Sequence, residues 1–424
     1  MTKRMLGCML AFLLIVSVGR AAVGQGAVTL VFRQNDTPLE AAGLLAAITV
    51  WNHEHPSVQV RFETVPWSDA RDQFIRESQV GGAPDVAQLA FVWTPDFAKA
   101  GMLMDLSGFL KQDPPPHGLN DFLALDYARA GNAIDALPWT ADTFAMVYRT
   151  DVLRNAGIKT FPDTWQDFQK VAVALSKERG RFGFVWGAGA APGGAMVFPA
   201  TYFIWSNGYD WLKRNPQPGT WDVGIDQKAL ADSIRYFKQF FDQGASPRSL
   251  IAISSWADPT IVRGMQSGNF AVTLWPPATL QAVLKADPNL PLASAPIPRG
   301  MVRRISHLGG RTLAISAHTK YSREAWEFMK YLTSARVFRL YYTEQMPAQK
   351  ALLSEVKLPP QFKGYAEMLP IARTFYADTL SPAPWPAVWD AVDREYDAAF
   401  SGQKDPDAAA RDLIAAIRQL LGRR

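Results

Sequence analysis

The stretch from Ile134 to Tyr148, reading I-D-A-L-P-W-T-A-D-T-F-A-M-V-Y, joins two apolar runs through a short polar segment. Pro138 has no N–H for a sheet ladder and biases Leu137 toward an extended conformation, so an apolar run reaching Leu137 is expected to leave its sheet there. A second apolar run opens at Phe144. A chain that leaves one apolar layer, passes Trp139 and Asp142, and enters another behaves as a crossing between domains. Trp139 to Thr143 is therefore expected to cross a cleft.

The chain has 424 residues, 48% hydrophobic and 20% charged, which suits two or three folded domains and argues against disorder. Residues 1–24 read separately. Lys3 and Arg4 precede an apolar block from Met5 to Val18, and Ala22-Val23-Gly24 supplies small residues at cleavage spacing, the pattern of a secretory signal peptide. The block is too short to cross a bilayer core of roughly 30 Å, and no other stretch approaches ~20 apolar residues. The only cysteine, Cys8, lies inside this segment, so disulfides are excluded from the processed chain. Leu6-Gly7-Cys8 has the look of a lipoprotein box, but its cysteine precedes most of the apolar core, and lipid anchoring is not expected. A periplasmic protein is the reading. The formal charge of +5 includes Lys3, Arg4 and Arg20 against no acid before residue 25, leaving +2 after processing. Nothing in that balance calls for nucleic acid or an anionic membrane.

The first 90 residues alternate strand and helix patterns. Val28 to Phe32 and Val58 to Phe62 read as strands. Thr37, Pro38 and Glu40 form a helix start that should run to about Trp51. Trp67 opens a helix to about Gln79, and Asp85 to Leu89 is a third strand, which together point to a parallel α/β sheet. Helices follow from Thr164 and from Gln227, with irregular structure expected over 182–224. Phe270 to Leu274 is a strand, and Leu308 to Ser316 is a second crossing interrupted by Gly309-Gly310. Ser322 and Asp405-Pro406 start late helices, and Pro382, Pro384 and Pro386 punctuate a loop.

In this order the features resemble the extracellular solute-binding proteins of carbohydrate ABC transporters, the family 1 group that includes maltose- and glycerol-3-phosphate-binding proteins. The resemblance rests on Trp51 to Pro56; on Gly81 to Val86 leading to Trp93 and Phe97 to Gly101; on Leu137 to Tyr148; and on Gly309 to Ser316. Phe161 to Trp165 and Ser267 to Val272 lie between them in the family's order. The resemblance implies an α/β fold of two lobes, the type II periplasmic-binding-protein-like architecture, with the ligand in a cleft between them. It would place residues 25–138 and 313–338 in lobe one and 139–312 and 339–424 in lobe two. It further implies a monomer that needs no cofactor or metal, catalyses nothing, and delivers its ligand to permease subunits in the inner membrane. Three positions depart from the family's usual pattern: Arg149 after Tyr148, Ala90 where several members carry a polar group, and Ser381 to Pro384 in place of an Arg-Pro pair.

Sugar rings present C–H faces framed by hydroxyls, so a sugar site needs flat aromatic faces and a few fixed donors and acceptors. Among 14 tryptophans, Trp93, Trp139, Trp205, Trp256 and Trp275 sit where loops should meet the cleft. Ligands bind beyond the carboxyl ends of strands in open α/β sheets, which favours Trp93, Trp139 and Trp275. Trp51, Trp165 and Trp326 read as core instead. Asn35 and Asp36 follow the first strand, where Asp36 serves equally as a ligand group or as a helix cap. Asp142 reads as a ligand acceptor or a hinge salt bridge. Gly309, Gly310 and Arg311 suit a close backbone approach and a planar fork for hydroxyls or an anion, or else a plain hinge. A di- or oligosaccharide is the favoured ligand. The alternatives are glycerol-3-phosphate or a glycerophosphodiester, and, from a different class, a secreted glycoside hydrolase working through two carboxylates. No metal motif, P-loop or nucleophile elbow is present.

Overall fold

In the computed structural model the described residues are 27–36, 41–217, 219–341 and 345–422. The expected signal peptide with Cys8, and the helix start at Thr37, Pro38 and Glu40, lie outside them. Nine strands build two sheets. They are β1 (Val28–Gln34), β2 (Val58–Thr64), β3 (Val86–Ala90), β4 (Leu137–Asp142), β5 (Ala145–Arg149), β6 (Val272–Trp275), β7 (Leu292–Ala295), β8 (Gly309–Ile315) and β9 (Met346–Pro347). The larger sheet has the order β9-β4-β8-β3-β1-β2.

β1 pairs in parallel with β2 and β3, as the alternation of strand and helix predicts. β8 enters antiparallel between β3 and β4, so the complete sheet is mixed. Period-two alternation covers both of its faces. Leu30, Phe32, Leu313 and Ile315 join a core on one side, while Ala87, Leu89 and Ala314 join a smaller one on the other. The second sheet, β6-β5-β7, is antiparallel and belongs to a separate, larger core. That gives two α/β lobes.

The chain passes between the lobes where β4 ends at Asp142 and β5 begins at Ala145, and again just before β8. A third passage follows β9, since Leu352 packs on the first core and Leu358 on the second. The first two passages lie side by side, with Thr143 Oγ1 hydrogen-bonded to Ser306 Oγ.

Pro138 does not end its strand. β4 runs through it to Asp142, because a register shift against β8 at Arg311/Thr312 pairs Arg311 with Thr140 and Thr312 with Pro138, leaving Trp139 as the extra residue of a bulge. The crossing is therefore Thr143–Phe144 rather than Trp139 to Thr143. The same pairing moves the expected lobe boundaries. Residues 139–142 and 309–312 stand in the first sheet, and β9 brings 346–347 into it as well.

The helix Val197–Ser206 interrupts the irregular region expected at 182–224. Its sequence is apolar all round and almost wholly buried, so it has no amphipathic period to detect. The expected loop at Pro382, Pro384 and Pro386 leads directly into the helix Trp385–Phe400, whose first turn tolerates Pro386.

Three tryptophans expected at the cleft belong to cores. Trp139 is 1% exposed, packs edge-on to Phe32, and donates its indole N–H to Leu332 O at 3.0 Å. The bulge turns it into the first lobe's interior. Trp275 and Trp205 are 0% exposed in the second core. Trp275 donates to Trp256 O at 2.8 Å, and Trp205 lies under the Arg373 guanidinium, 4.5 Å from its ring centroid. Replacing Trp139 by Ala should lower stability by about 3–5 kcal/mol in urea titrations while leaving ligand affinity of the folded fraction within about twofold.

Candidate ligand-binding cleft

Between the lobes lies a cavity of about 330 Å³. One wall is built at the carboxyl end of β3, from Ala90, the 3₁₀ turn Phe91–Trp93, the start of the helix Trp67–Gln79, and the first residues of β8. Strand ends in an α/β sheet leave such a crevice because the following helices turn back over the sheet. The other wall carries Phe144, Phe198, Trp256 and Trp389.

Four half-buried tryptophans face this space, two from each wall: Trp67 and Trp93, Trp256 and Trp389. Trp67 and Trp93 tilt together at 5.4 Å. Trp256 stands edge-on to Phe144 at 5.4 Å, and Trp389 edge-on to Phe198 at 5.0 Å. Trp93 and Trp256 were among the sequence candidates; Trp67 and Trp389 were not. Trp67 had a usable signal, since it opens a helix directly after a strand, where a side chain meets the crevice. Trp389 repeats with Trp385 and Val392 along one helix stripe and so reads as core.

Arg311 forms the floor and is 7% exposed. Its Nε and Nη2 donate to Asp36 Oδ1 at 3.1 and 2.8 Å, and its Nη1 donates to Gln345 Oε1 at 3.1 Å, with Thr140 Oγ1 at 3.4 Å and Asp142 Oδ2 at 3.5 Å. Its guanidinium also lies 5.7 Å from the Trp67 ring centroid. The fork read from the sequence is thus engaged within the wall. Asp36 is that fork's partner, and Asn35 donates to Gln88 O at 3.2 Å. Both are buried behind the cavity and do not line it.

Gly309 and Gly310 do line it, and each requires the absence of a side chain. A Cβ on Gly309 would stand 2.5 Å from Asp142 Oδ1 and from His307 Nε2. Gly310, at φ +144°, would place one 2.1 Å from Thr140 O. His307, which no sequence argument singled out, is buried with its Nδ1 2.6 Å from Tyr202 Oη and its Nε2 3.6 Å from Asp142 Oδ1. Burial pushes its pKa from 6.5 down to about 3, so the ring is neutral.

Arg71 lines the cavity, and its Nε is buried with no acceptor among the described residues. Asp390 accepts one N–H, from Gly193 at 3.3 Å, and burial holds its carboxyl above the usual range. Of the departures from the resemblance, Ala90 lines the cavity beside Arg311, whereas Arg149 is structural. Arg149 pairs with Asp151 at 2.7 Å and donates to the carbonyls of Met265 and Gln266 at a helix end. No group of three or more His, Cys, Asp or Glu residues that could hold a metal occurs among the described residues.

The model of the bacterial extracellular solute-binding protein family matches residues 35–337. The chain belongs to that family. This solute-binding protein is 23% identical, over 86% of its length and 82% of the relative's, to the maltooligosaccharide ABC transporter solute-binding lipoprotein of Streptococcus pneumoniae. Two solved structures share its fold. The GacH receptor of Streptomyces glaucescens has a TM-score of 0.78 at 24% identity, covering 94% of this chain and 99% of that one. Maltose-bound T. maritima MalE3 has 0.79 at 22%, covering 93% and 100%. The solute-binding protein has no helix among its described residues long and apolar enough to cross a membrane.

Two outcomes follow from the floor of the cleft. Arg311→Ala removes the cation from the buried Asp36 carboxylate and should cost about 3–5 kcal/mol of stability by urea denaturation. His307 binds its proton in the unfolded chain near pH 6.5 but in the folded one only near pH 3. Its contribution to stability therefore falls as the pH drops through that interval, by up to about 1.4 kcal/mol per pH unit. The stability advantage of wild type over His307→Gln should shrink between about pH 7 and pH 4. The difference is the readout because the raised carboxyls of Asp378 and Asp393 act with the opposite sign.

Proposed function

We propose that this solute-binding protein takes up a di- or oligosaccharide between its lobes and presents it, in the closed form, to the permease of an ABC importer. One observation carries the reading: four half-buried indole faces, two on each wall, converge on one cavity. Flat apolar faces pair with the C–H faces of pyranose rings. Asp142 and the backbone at Gly309 and Gly310 supply hydrogen-bonding groups for hydroxyls. Because the two walls come from different lobes, a ligand touching both gains contacts only when they approach, and that difference drives closure.

The named sugar ligands of the similar proteins support the same class. The role is binding without chemistry, in the periplasm, by a monomer released from its signal peptide. The lipoprotein among the relatives makes anchoring a question for the processed N-terminus, settled by mass spectrometry of the exported protein. A phosphorylated polyol fits less well, since the guanidinium that would meet a phosphate is already held by Asp36 and Gln345.

Calorimetry with a panel of neutral di- and trisaccharides tests the reading. At least one should bind with a Kd in the micromolar range, equivalent to about 8 kcal/mol. Trp67→Ala and Trp389→Ala should each weaken it by about 2 kcal/mol, roughly 30-fold, with little change in melting temperature. Glycerol-3-phosphate should not compete, and reducing-sugar assays should show no cleavage. Unchanged affinity in both variants would remove the indole faces from the site.

A further inference from the structure

The charges of the cavity wall carry a narrower conclusion about the ligand, and it rests on the saccharide reading. Five charged side chains line the cavity: Arg71, Arg311, Asp72, Asp142 and Asp390. Arg311 is neutralised from behind by Asp36, whose Oδ1 it meets at 2.8 Å. Arg71 Nη1 lies 3.3 Å from Asp72 Oδ1. Asp142 lies 3.5 Å from Arg311 Nη1 and 3.6 Å from the neutral His307 ring. The lining itself sets two arginines against three aspartates, and one of the arginines is already neutralised from behind.

Asp390 is where the imbalance is sharpest. It stands on the helix Trp385–Phe400, next to Trp389, and its one hydrogen bond among the described residues comes from Gly193 N at 3.3 Å. The charged groups acting on it include Arg71 and Asp72 across the cleft and Arg394 and Asp393 on its own helix. Arg394 lies 3.4 Å from Glu395 Oε1, so part of its charge is already met. Desolvation outweighs these cations and lifts the Asp390 carboxyl, as it does for an anion lacking a close positive partner. Beside it and opposite it stand indole faces, whose negative π-clouds attract cations and are indifferent or unfavourable to anions.

We propose that the ligand is a basic saccharide, carrying a protonated amine on the ring that meets Asp390 and its neighbouring indoles. An ammonium group brings up to three donors to a carboxylate acceptor and places positive charge where the wall has an excess of negative charge. A neutral sugar satisfies the stacking but leaves Asp390 uncompensated; an anionic sugar adds repulsion.

Calorimetry on the processed full-length chain at about pH 6.5 compares three forms of one sugar: the free amine, its N-acetyl derivative and the unsubstituted sugar. Glucose-series mono- and disaccharides serve as probes. The amine should bind at least tenfold more tightly than either neutral counterpart. That preference should fall with added salt, while neutral-sugar affinity stays level. Asp390→Asn should reduce the preference to about twofold or less, with thermal unfolding as the control for folding. The salt comparison uses wild type alone and stands even if the variant does not fold. A neutral form binding as tightly as the amine overturns this inference and leaves the saccharide reading intact. Failure of every saccharide in the panel to bind overturns both.

Discussion

The buried pair between Arg311 and Asp36 holds the first wall of the cleft together. Asp36 follows β1, Arg311 lies in β8, and the guanidinium also reaches Gln345 just ahead of β9, so one side chain ties three strand ends at the rim of a single sheet. Such a pair is not a source of large net stability, because both ions are desolvated. Its value is geometric. With its planar fork fixed at several points, Arg311 has few alternative positions, and the backbone of Gly309 and Gly310 is free to form the cavity floor beside it.

The two walls divide their labour differently from what their tryptophan content suggests. Indoles in the lobe interiors, such as Trp139 and Trp275, spend their N–H groups on backbone carbonyls and stabilise each lobe. The indoles at the cleft are only half covered. They remain so because they sit at element ends, Trp67 opening a helix, Trp93 closing a 3₁₀ turn and Trp256 in the loop before the helix Pro259–Ser267, where the sheet and its helices no longer enclose them. Trp389 is the exception. It extends the stripe that Trp385 and Val392 bury in the core, and its indole N–H donates to Gly194 O at 2.8 Å.

Much of the architecture was legible in the sequence because local and global signals agreed. The helix Trp67–Gln79 and the Thr164-capped helix Trp165–Leu175 lie where capping and periodicity put them. The family was legible from the order of weak motifs rather than from any one of them. The site was less so. Position along the chain placed Trp93, Trp256, Asp142 and the Gly309-Gly310-Arg311 run at the cavity, yet it could not reveal which way Trp139 would face. That direction was decided by a one-residue bulge whose cause lies in the pairing of β4 with β8. The helix Val197–Ser206 escaped notice for a related reason: periodicity reports the contrast between a wet and a dry face, and this helix has no wet face. His307 was invisible because its role comes from burial beside Asp142 and Tyr202, residues more than 100 positions away in the chain.

The half-covered indoles have an optical consequence. Emission from tryptophan shifts with the polarity around the ring, and the fully enclosed rings keep the same surroundings whatever the lobes do. Any change in the spectrum when the jaws come together must therefore arise mainly from Trp67, Trp93, Trp256 and Trp389. The molecule carries its own fluorescent gauge of occupancy, read without attaching a dye.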